Sequence, residues 1–297
     1  MQVAPNRSET LLVSAAAGVT VLLWSSSFVV IRAVGEVLPP GPLAFFRMLV
    51  GATVLVAVAA WYRRPVPRGR TLGLVVGYGV LWFALYTVLL NWAEQHLDAG
   101  TAALLVNFAP IIVAVFAGLF LGEGFPRTRV VGIVIAFTGV MLIAVGGSGG
   151  PGNDRLGVAL GLVTAVLYAA SVLMQKVALR SVDAVTATWV GCVAGLVATT
   201  PFAPAAFGEL ATAPAGAVAG VVFLGVGPTA IAFLTWAYAL SRTDAGAMAA
   251  TTLAVPAVAI GLSWLALGEL PTVLGFVGGG LALLGVTITR RRTGLRA

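Results

Sequence analysis

Charged residues are what this sequence has least of. Of its 297 residues only 9% are Asp, Glu, Lys or Arg, whereas 60% are hydrophobic, and the mean hydropathy is +1.04. An ordinary soluble domain carries about 25% charged residues. The chain has too little polar surface for a water-soluble domain, so we expect an integral membrane protein.

Cysteine and histidine are also scarce. The single cysteine, Cys192, lies in an apolar run, which excludes an intrachain disulfide framework. The single histidine is His96, and the sequence contains neither an HExxH motif nor paired aspartates nor a Ser–His arrangement. The sequence therefore predicts no catalytic residue, no metal site and no cofactor, and it disfavours an intramembrane enzyme.

Acidic, lysine and histidine side chains are missing from the middle of every long apolar run. Proton relays and sites for cationic drugs usually depend on such a residue at mid-membrane depth. We therefore expect facilitated diffusion or exchange rather than proton coupling through a buried carboxylate.

What the sequence has in abundance is long apolar segments. A helix needs about 20 largely apolar residues to cross the hydrocarbon core of a membrane. The segments near that length are 12–34, 42–61, 72–92, 100–121, 130–145, 156–175, 184–204, 215–238, 245–267 and 273–289. They predict an all-α integral membrane protein with ten transmembrane helices.

The second half of the chain repeats the first at an offset of 146 residues, without gaps. A glycine-rich linker, 146–155, separates two five-helix repeats, 12–145 and 156–289. The landmarks that recur are 98–100 with 244–246, Pro110 with Pro256, Gly122 and Glu123 with Gly268 and Glu269, Gly132 with Gly278, and Gly139 with Gly285.

Basic residues do not follow this repeat. If both termini are cytoplasmic, fourteen of the 17 Lys and Arg residues lie inside, and only Arg32, Arg47 and Arg155 lie outside. Five helices per repeat then make the two copies antiparallel, an inverted repeat typical of transporters around a central cavity. The net charge of +7 is explained by topology, so we expect no nucleic-acid partner.

These features resemble the drug/metabolite transporter superfamily, and within it the ten-helix EamA-type transporters. The resemblance rests on 24–28 (Trp-Ser-Ser-Ser-Phe), on Arg47 early in the second span, and on Leu-Gly-Glu ending the fourth and ninth spans. It implies a bundle around a cavity lined by spans 1, 3, 4, 6, 8 and 9. It also implies that spans 5 and 10 pack peripherally, where a dimer can form.

Two aromatic–serine pairs are the first candidates for lining this cavity. Trp24 and Ser27 share one face of the first span, and Tyr168 and Ser171 match them in the sixth. The second pair departs from the Trp-Ser motif, so the two halves cannot offer a ligand identical surfaces. The alternative is ordinary hydrogen bonding between helices by small hydroxyl side chains.

An aromatic stripe in the third span is the next candidate. Tyr78, Trp82 and Tyr86 are spaced four residues apart, which places them on one helical face. Plain packing or an interfacial belt would give the same spacing, although Trp82 lies too deep for a belt.

Further cavity candidates are Asn107, in the fourth span, and Trp236 and Thr252, in the eighth and ninth. Pro110 and Pro256 are expected to kink the fourth and ninth spans at equivalent points, a pattern found near binding sites of transporters. The alternative is a static kink that only shapes the bundle.

Charged residues near the span ends have structural interpretations. Arg47 is expected to pair with Glu36, Glu94 or Asp98, with snorkelling outward or contact with an anionic substrate group as alternatives.

Asp98 and Asp244 are expected to cap the helices that follow them. Glu123 and Glu269 are expected to cap or to pair at the interface between helices.

The sequence thus predicts an alternating-access transporter of small organic metabolites in the inner membrane. An uncharged cavity of Trp, Tyr, Ser, Thr and Asn suits neutral, zwitterionic or aromatic solutes such as amino acids, and the resemblance favours export. The expected partners are the substrate and the lipid bilayer, with the protein a monomer or a homodimer. A passive channel is the main alternative, and a membrane sensor, scaffold or lipid-handling enzyme is disfavoured.

Overall fold

The described residues of this computed structural model are 7–35, 37–96, 105–147, 155–267 and 273–290, and within these ranges all regular structure is helical. The α-helices, numbered here in chain order, are α1 Arg7–Gly35, α2 Pro40–Trp61, α3 Gly69–Gly79, α4 Thr87–His96, α5 Ala109–Phe120, α6 Arg127–Gly147, α7 Arg155–Ala178, α8 Ala184–Thr199, α9 Ala203–Thr212, α10 Ala215–Leu224, α11 Ala232–Arg242, α12 Ala245–Thr251, α13 Val255–Leu267 and α14 Val273–Arg290.

Many of these helices are long and apolar. Six continuous helical segments are long and apolar enough to cross a membrane, and three shorter apolar helices accompany them. The long segments are Ser8–Gly35, Pro40–Trp61, Gly69–His96, Arg155–Ala178, Ala184–Thr212 and Ala215–Arg242. The predicted class, an all-α membrane protein, is confirmed. Helix length does not set the number of crossings, and ten remains a prediction.

Equivalent helices of the two halves depart from α geometry at equivalent points. A π-helical segment, Val80–Tyr86, joins α3 to α4, and a second one, Gly225–Ile231, joins α10 to α11. The second contains Pro228, which lacks the N–H that a regular helix would use. Single π turns inside α-helices are rare and often mark functional sites.

The fourth and ninth predicted spans are also interrupted. The chain makes a turn at 107–108 before α5, and a 3₁₀ turn, Thr252–Ala254, separates α12 from α13. Pro110 and Pro256 are each the second residue of the helix that follows. Proline is tolerated there because the first N–H groups of a helix have no acceptor within it.

Contacts between the halves come in matched pairs. α1 packs on α11 and α13, just as α7 packs on α4 and α5. In the same way, α2 packs on the π segment Gly225–Ile231, and α8 packs on Val80–Tyr86. The two halves are therefore interleaved around a common centre and do not form separate lobes.

Glycines let α6 and α14 pack backbone to backbone. A Cβ added at Gly132 would lie 2.7 Å from the carbonyl oxygen of Gly285, and one at Gly285 would lie 2.5 Å from that of Gly132. A Cβ added at Gly139 would likewise meet the carbonyl oxygen of Gly278. In the sequence repeat, Gly132 is equivalent to Gly278 and Gly139 to Gly285. Exchanging the two halves therefore turns one contact pair into the other, so the packing of α6 on α14 is close to symmetric.

Local capping fixes the start of α8. The side chain of Asp183 accepts hydrogen bonds from the backbone N–H groups of Val185 (3.0 Å) and Thr186 (3.1 Å). An Asp cap of this kind stabilises a helix by about 1 kcal/mol.

Candidate functional site

Five aromatic side chains from four helical segments meet where the two halves join. Trp24 of α1 has ring-centroid distances of 5.1 Å to Trp236, 5.3 Å to Phe233, 6.0 Å to Trp82 and 6.5 Å to Tyr168. We call these five residues the aromatic cluster.

Trp82 is the second centre of the aromatic cluster. Its ring lies 4.9 Å from Phe233, 5.1 Å from Tyr168 and 5.7 Å from Trp236. Most of these pairs are tilted or edge to face, the arrangement that the aromatic quadrupole favours. Trp82 and Trp236 are almost completely buried, so in this conformation the rings fill the space between them.

Each polar atom of three cluster members has a partner on another helix. Trp24 donates from Nε1 to the carbonyl oxygen of Pro228 (3.2 Å). Trp236 donates from Nε1 to Oε1 of Gln175 (2.9 Å), and the Tyr168 hydroxyl donates to Oγ1 of Thr252 (3.3 Å). The amide Nε2 of Gln175 is buried and finds no acceptor among the described residues.

Most of the aromatic residues singled out from the sequence come together here. Trp24, Trp82, Tyr168 and Trp236 belong to the aromatic cluster, and Tyr86 lies beside it, 6.0 Å from the Tyr168 ring. Thr252 joins through its hydrogen bond to Tyr168.

Tyr78 departs from the predicted stripe. Its hydroxyl donates to the carbonyl oxygen of Ala187 (2.5 Å), and its ring covers Gly191, in the contact between α3 and α8. The π segment that begins at Val80 has more residues per turn than an α-helix. A spacing of four residues therefore no longer keeps side chains on one face.

The two serines bond within their own helices. Ser27 donates to the carbonyl oxygen of Trp24 (2.7 Å), and Ser171 donates to that of Leu167 (2.6 Å). Both are buried near the aromatic cluster. Asn107 is also buried, in the turn that precedes α5.

The sequence interpretation missed polar residues that connect the halves. Ser25, beside Trp24, donates to the carbonyl oxygen of Val255 (3.1 Å), just before Pro256. Thr20 donates to the carbonyl oxygen of Ala232 (3.2 Å). Both hydroxyls also bond to their own helix, and such residues are common enough in apolar spans that no local pattern marks these two.

The ion pair expected between Arg47 and Glu94 is not formed: within the described part of the chain, no carboxylate lies within 4.0 Å of this guanidinium. Instead, Nε of Arg47 donates to Oγ1 of Thr229 (2.7 Å), and that hydroxyl donates to the carbonyl oxygen of Leu224 (2.8 Å). The other two expected partners, Glu36 and Asp98, lie outside the described residues.

Asp244 is a second correction, because its side chain makes no cap hydrogen bond to α12. Glu123 caps this helix instead, accepting from the N–H groups of Ala245 (2.5 Å) and Gly246 (3.0 Å). Arg129 pairs with both Glu123 (3.2 Å) and Asp244. Glu123 thus caps and pairs across the two halves, as expected, while Asp98 and Glu269 lie outside the described residues.

A family model describes both halves of the chain, matching residues 12–145 and 155–291 to the EamA-like transporter family. The chain belongs to the EamA-like transporter family. It is a multi-pass membrane transporter and not an enzyme.

Relatives match nearly the full length of this family member. It is 35% identical to a Streptantibioticus cattleyicolor protein named "Probable terminal-alkyne amino-acid exporter", over 92% of each chain. It is 33% identical to the "Uncharacterized transporter YdfC" of Bacillus subtilis, over 95% of this chain and 92% of the other. An Escherichia coli "Probable amino-acid metabolite efflux pump" is 26% identical, over 90% and 91%.

A crystal structure shares the fold of this EamA-like chain. The TM-score is 0.77 at 21% identity, covering 96% of this chain and 97% of the other. The likeness extends over the whole helical arrangement and both halves.

Proposed function

We propose that this protein exports small organic metabolites, above all neutral, zwitterionic or aromatic amino acids, across the plasma membrane by alternating access. Two relatives named for amino-acid or amino-acid-metabolite export support the substrate class and the direction. Apolar and aromatic side chains of such solutes suit a site built from Trp, Tyr and Phe.

The observation that carries this proposal is the aromatic cluster. It draws Trp24 and Trp82 from the first half and Tyr168, Phe233 and Trp236 from the second. A substrate that enters between these rings must separate the two halves. The π turns and the breaks before Pro110 and Pro256 lie beside the cluster, where helices bend most readily.

The proposal includes a ten-span topology with repeats 12–145 and 156–289 antiparallel and both termini cytoplasmic. The basic residues favour this orientation, and the matched contacts between the halves fit an inverted repeat. α6 and α14 expose large apolar side chains such as Phe276 and Val134. That surface suits lipid or, in a homodimer, a second copy of the chain.

A thermal-shift screen of the purified protein against amino acids and nucleobases tests the substrate class. A ligand that binds the folded state raises its apparent stability. We expect neutral and aromatic amino acids to raise the melting temperature and nucleobases to leave it unchanged. The reverse ranking would contradict the proposed substrate class.

Uptake into proteoliposomes under an imposed pH gradient tests the energetics. Exchange or facilitated diffusion predicts equilibration of a labelled amino acid without net accumulation. Uphill accumulation driven solely by the pH gradient would overturn this part of the proposal.

A further inference from the structure

Two opposite charges lie close to the aromatic cluster, and in the described part of the chain no ion pair joins them. The side chain of Arg47 is 8% exposed on α2 and bonds through Nε to Thr229. Glu94, on α4, has a buried Oε1 to which none of the described residues donates a hydrogen bond. The two groups interact electrostatically, yet their charged atoms are more than 4.0 Å apart within the described structure.

A second buried oxygen, besides Oε1 of Glu94, indicates the kind of ligand group that fits between α2 and α4. Asn91 is 5% exposed, and its Nδ2 donates to the carbonyl oxygen of Pro40 (3.2 Å). Its Oδ1 is buried, and no donor among the described residues reaches it. Asn91 and Glu94 are three residues apart and therefore share a face of α4. Two buried oxygens that lack donors match the hydrogen-bonding needs of an ammonium group.

The pair of charges adjoins the aromatic cluster through Tyr86. This residue interacts electrostatically with both Arg47 and Glu94, and its ring lies 6.0 Å from that of Tyr168. A solute with a charged head and an apolar side chain could therefore contact Arg47 or Glu94 and the aromatic rings at once.

Holding opposite charges apart in an apolar interior is unfavourable unless something completes their hydrogen bonds. We propose that Arg47, Asn91 and Glu94 form a subsite for the charged head of an amino acid. The carboxylate binds Arg47, the ammonium binds Oε1 of Glu94 and Oδ1 of Asn91, and the side chain extends towards the aromatic cluster. This inference rests on the proposed function, since it assigns residues to the head group of that substrate.

Three compounds with the same aromatic side chain distinguish the contribution of the ammonium group from that of the carboxylate. Phenylalanine carries both groups, 3-phenylpropanoate lacks the ammonium, and phenethylamine lacks the carboxylate. For the purified wild-type protein we expect apparent affinity, measured by thermal shift, to be at least about tenfold higher for phenylalanine than for either analogue, because each lost group leaves a buried charge unmatched.

Variants then show which residue recognises which charged group of the ligand. Glu94→Gln should reduce the preference for phenylalanine over 3-phenylpropanoate by about tenfold and keep the preference over phenethylamine. Arg47→Gln should do the opposite, and Arg47→Lys should restore part of the lost preference because it keeps the charge. Glu209→Gln is the matched control, because this carboxylate on α9 has no described hydrogen bond or ion pair to Arg47, Asn91 or Glu94, and it should leave both preferences unchanged.

Wild-type protein alone can overturn the inference, even if a variant fails to fold. Equal affinity for all three compounds would exclude a subsite that reads both charges. A preference that survives unchanged in Glu94→Gln and Arg47→Gln would place the recognition elsewhere. In either case amino-acid transport measured in proteoliposomes would still stand, so failure of the subsite is distinguishable from failure of the proposed function.

Discussion

At the scale of single residues, Trp24 and Trp82 are the two members of the aromatic cluster whose rings lie beside all four others. Each contacts the other and three more members of the aromatic cluster. Stacking on a substrate and packing within the bundle both depend on such rings, so the two roles must be separated by experiment.

Replacing Trp24 or Trp82 by Ala should reduce transport more than it reduces the amount of folded protein in the membrane. The reason is that the rings lie where the substrate is proposed to bind. The measurement compares initial uptake per folded molecule with expression level and melting temperature. Equal losses in transport and in folded protein would point to packing alone.

The hydroxyl of Thr229 is the only acceptor that the described residues provide to Nε of Arg47. Thr229→Val should therefore lower the free energy of unfolding by about 1–3 kcal/mol, since a buried charged donor loses its partner. Thermal or denaturant unfolding in detergent measures this.

Thr53→Val on α2 is the matched control for Thr229→Val. Its hydroxyl bonds only to the carbonyl oxygen of Leu49 and is exposed, so the change should be within about 0.5 kcal/mol of wild type. Similar losses in the two variants would show that the hydrogen bond to Arg47 adds nothing.

Residue spacing predicted part of the aromatic cluster, and it missed other contacts for a physical reason. Trp24 and Tyr168 were found because equivalent positions of an inverted repeat face a common centre. The displacement of Tyr78 was not foreseen, because a π turn is a property of the packed helix and leaves no mark in hydrophobic spacing. The cap that Glu123 provides to α12 was likewise hidden, since it joins residues 122 positions apart.

At the scale of elements, departures from α geometry occur at equivalent positions of the two halves, as the helices do. The π segments begin at Val80 and Gly225, close to the offset of the sequence repeat, although only the second contains a proline. The long helices were predictable from hydropathy alone. Proline, which resists helix continuation, marks the interruptions at Pro110, Pro228 and Pro256, whereas the π segment Val80–Tyr86 contains no proline.

The contact between α6 and α14 yields a direct test of element packing. In Gly285→Ala the new Cβ would lie 2.5 Å from the carbonyl oxygen of Gly132 and 2.7 Å from the Cα of Ala136. Because both neighbours are backbone, the helices must move apart, and we expect a loss of about 1–3 kcal/mol in stability. The melting temperature in detergent reports this loss.

Gly280→Ala, on the same helix, is the control for the glycine contact. A Cβ there meets nothing within 4 Å, and alanine is the better helix former by about 1 kcal/mol. This variant should therefore be as stable as wild type or slightly more so. If the melting temperature of Gly285→Ala were also equal to or above that of wild type, the close backbone contact between α6 and α14 would be contradicted.

At the scale of the whole molecule, polar contacts cluster at the end that the proposed topology places in the cytoplasm. Arg129 pairs with Glu123 and Asp244, and Lys176 of α7 donates to the carbonyl oxygens of Leu240 (2.7 Å) and Thr243. The Lys176 bonds join two helices within the second half, whereas the pair Arg129–Asp244 and the hydrogen bonds from Ala245 and Gly246 to Glu123 tie the two halves together at that end. Alternating access requires them to break when the cavity opens to the cytoplasm.

Topology itself has a simple test. In a Cys192→Ser background, Arg68→Cys in the loop between α2 and α3 should react with a membrane-impermeant thiol reagent only when the cytoplasmic face is accessible. Inverted membrane vesicles should label, whereas intact cells should not. Labelling of intact cells would reverse the assigned orientation.

Transport by alternating access is the central claim, and counterflow tests it most directly. Proteoliposomes are loaded with unlabelled phenylalanine and then exposed to a trace of labelled phenylalanine outside. Alternating access predicts saturable entry, with transient accumulation of label above its external concentration, since a carrier returns loaded from the inside. Entry that neither saturates nor overshoots would indicate an open channel and contradict transport by alternating access.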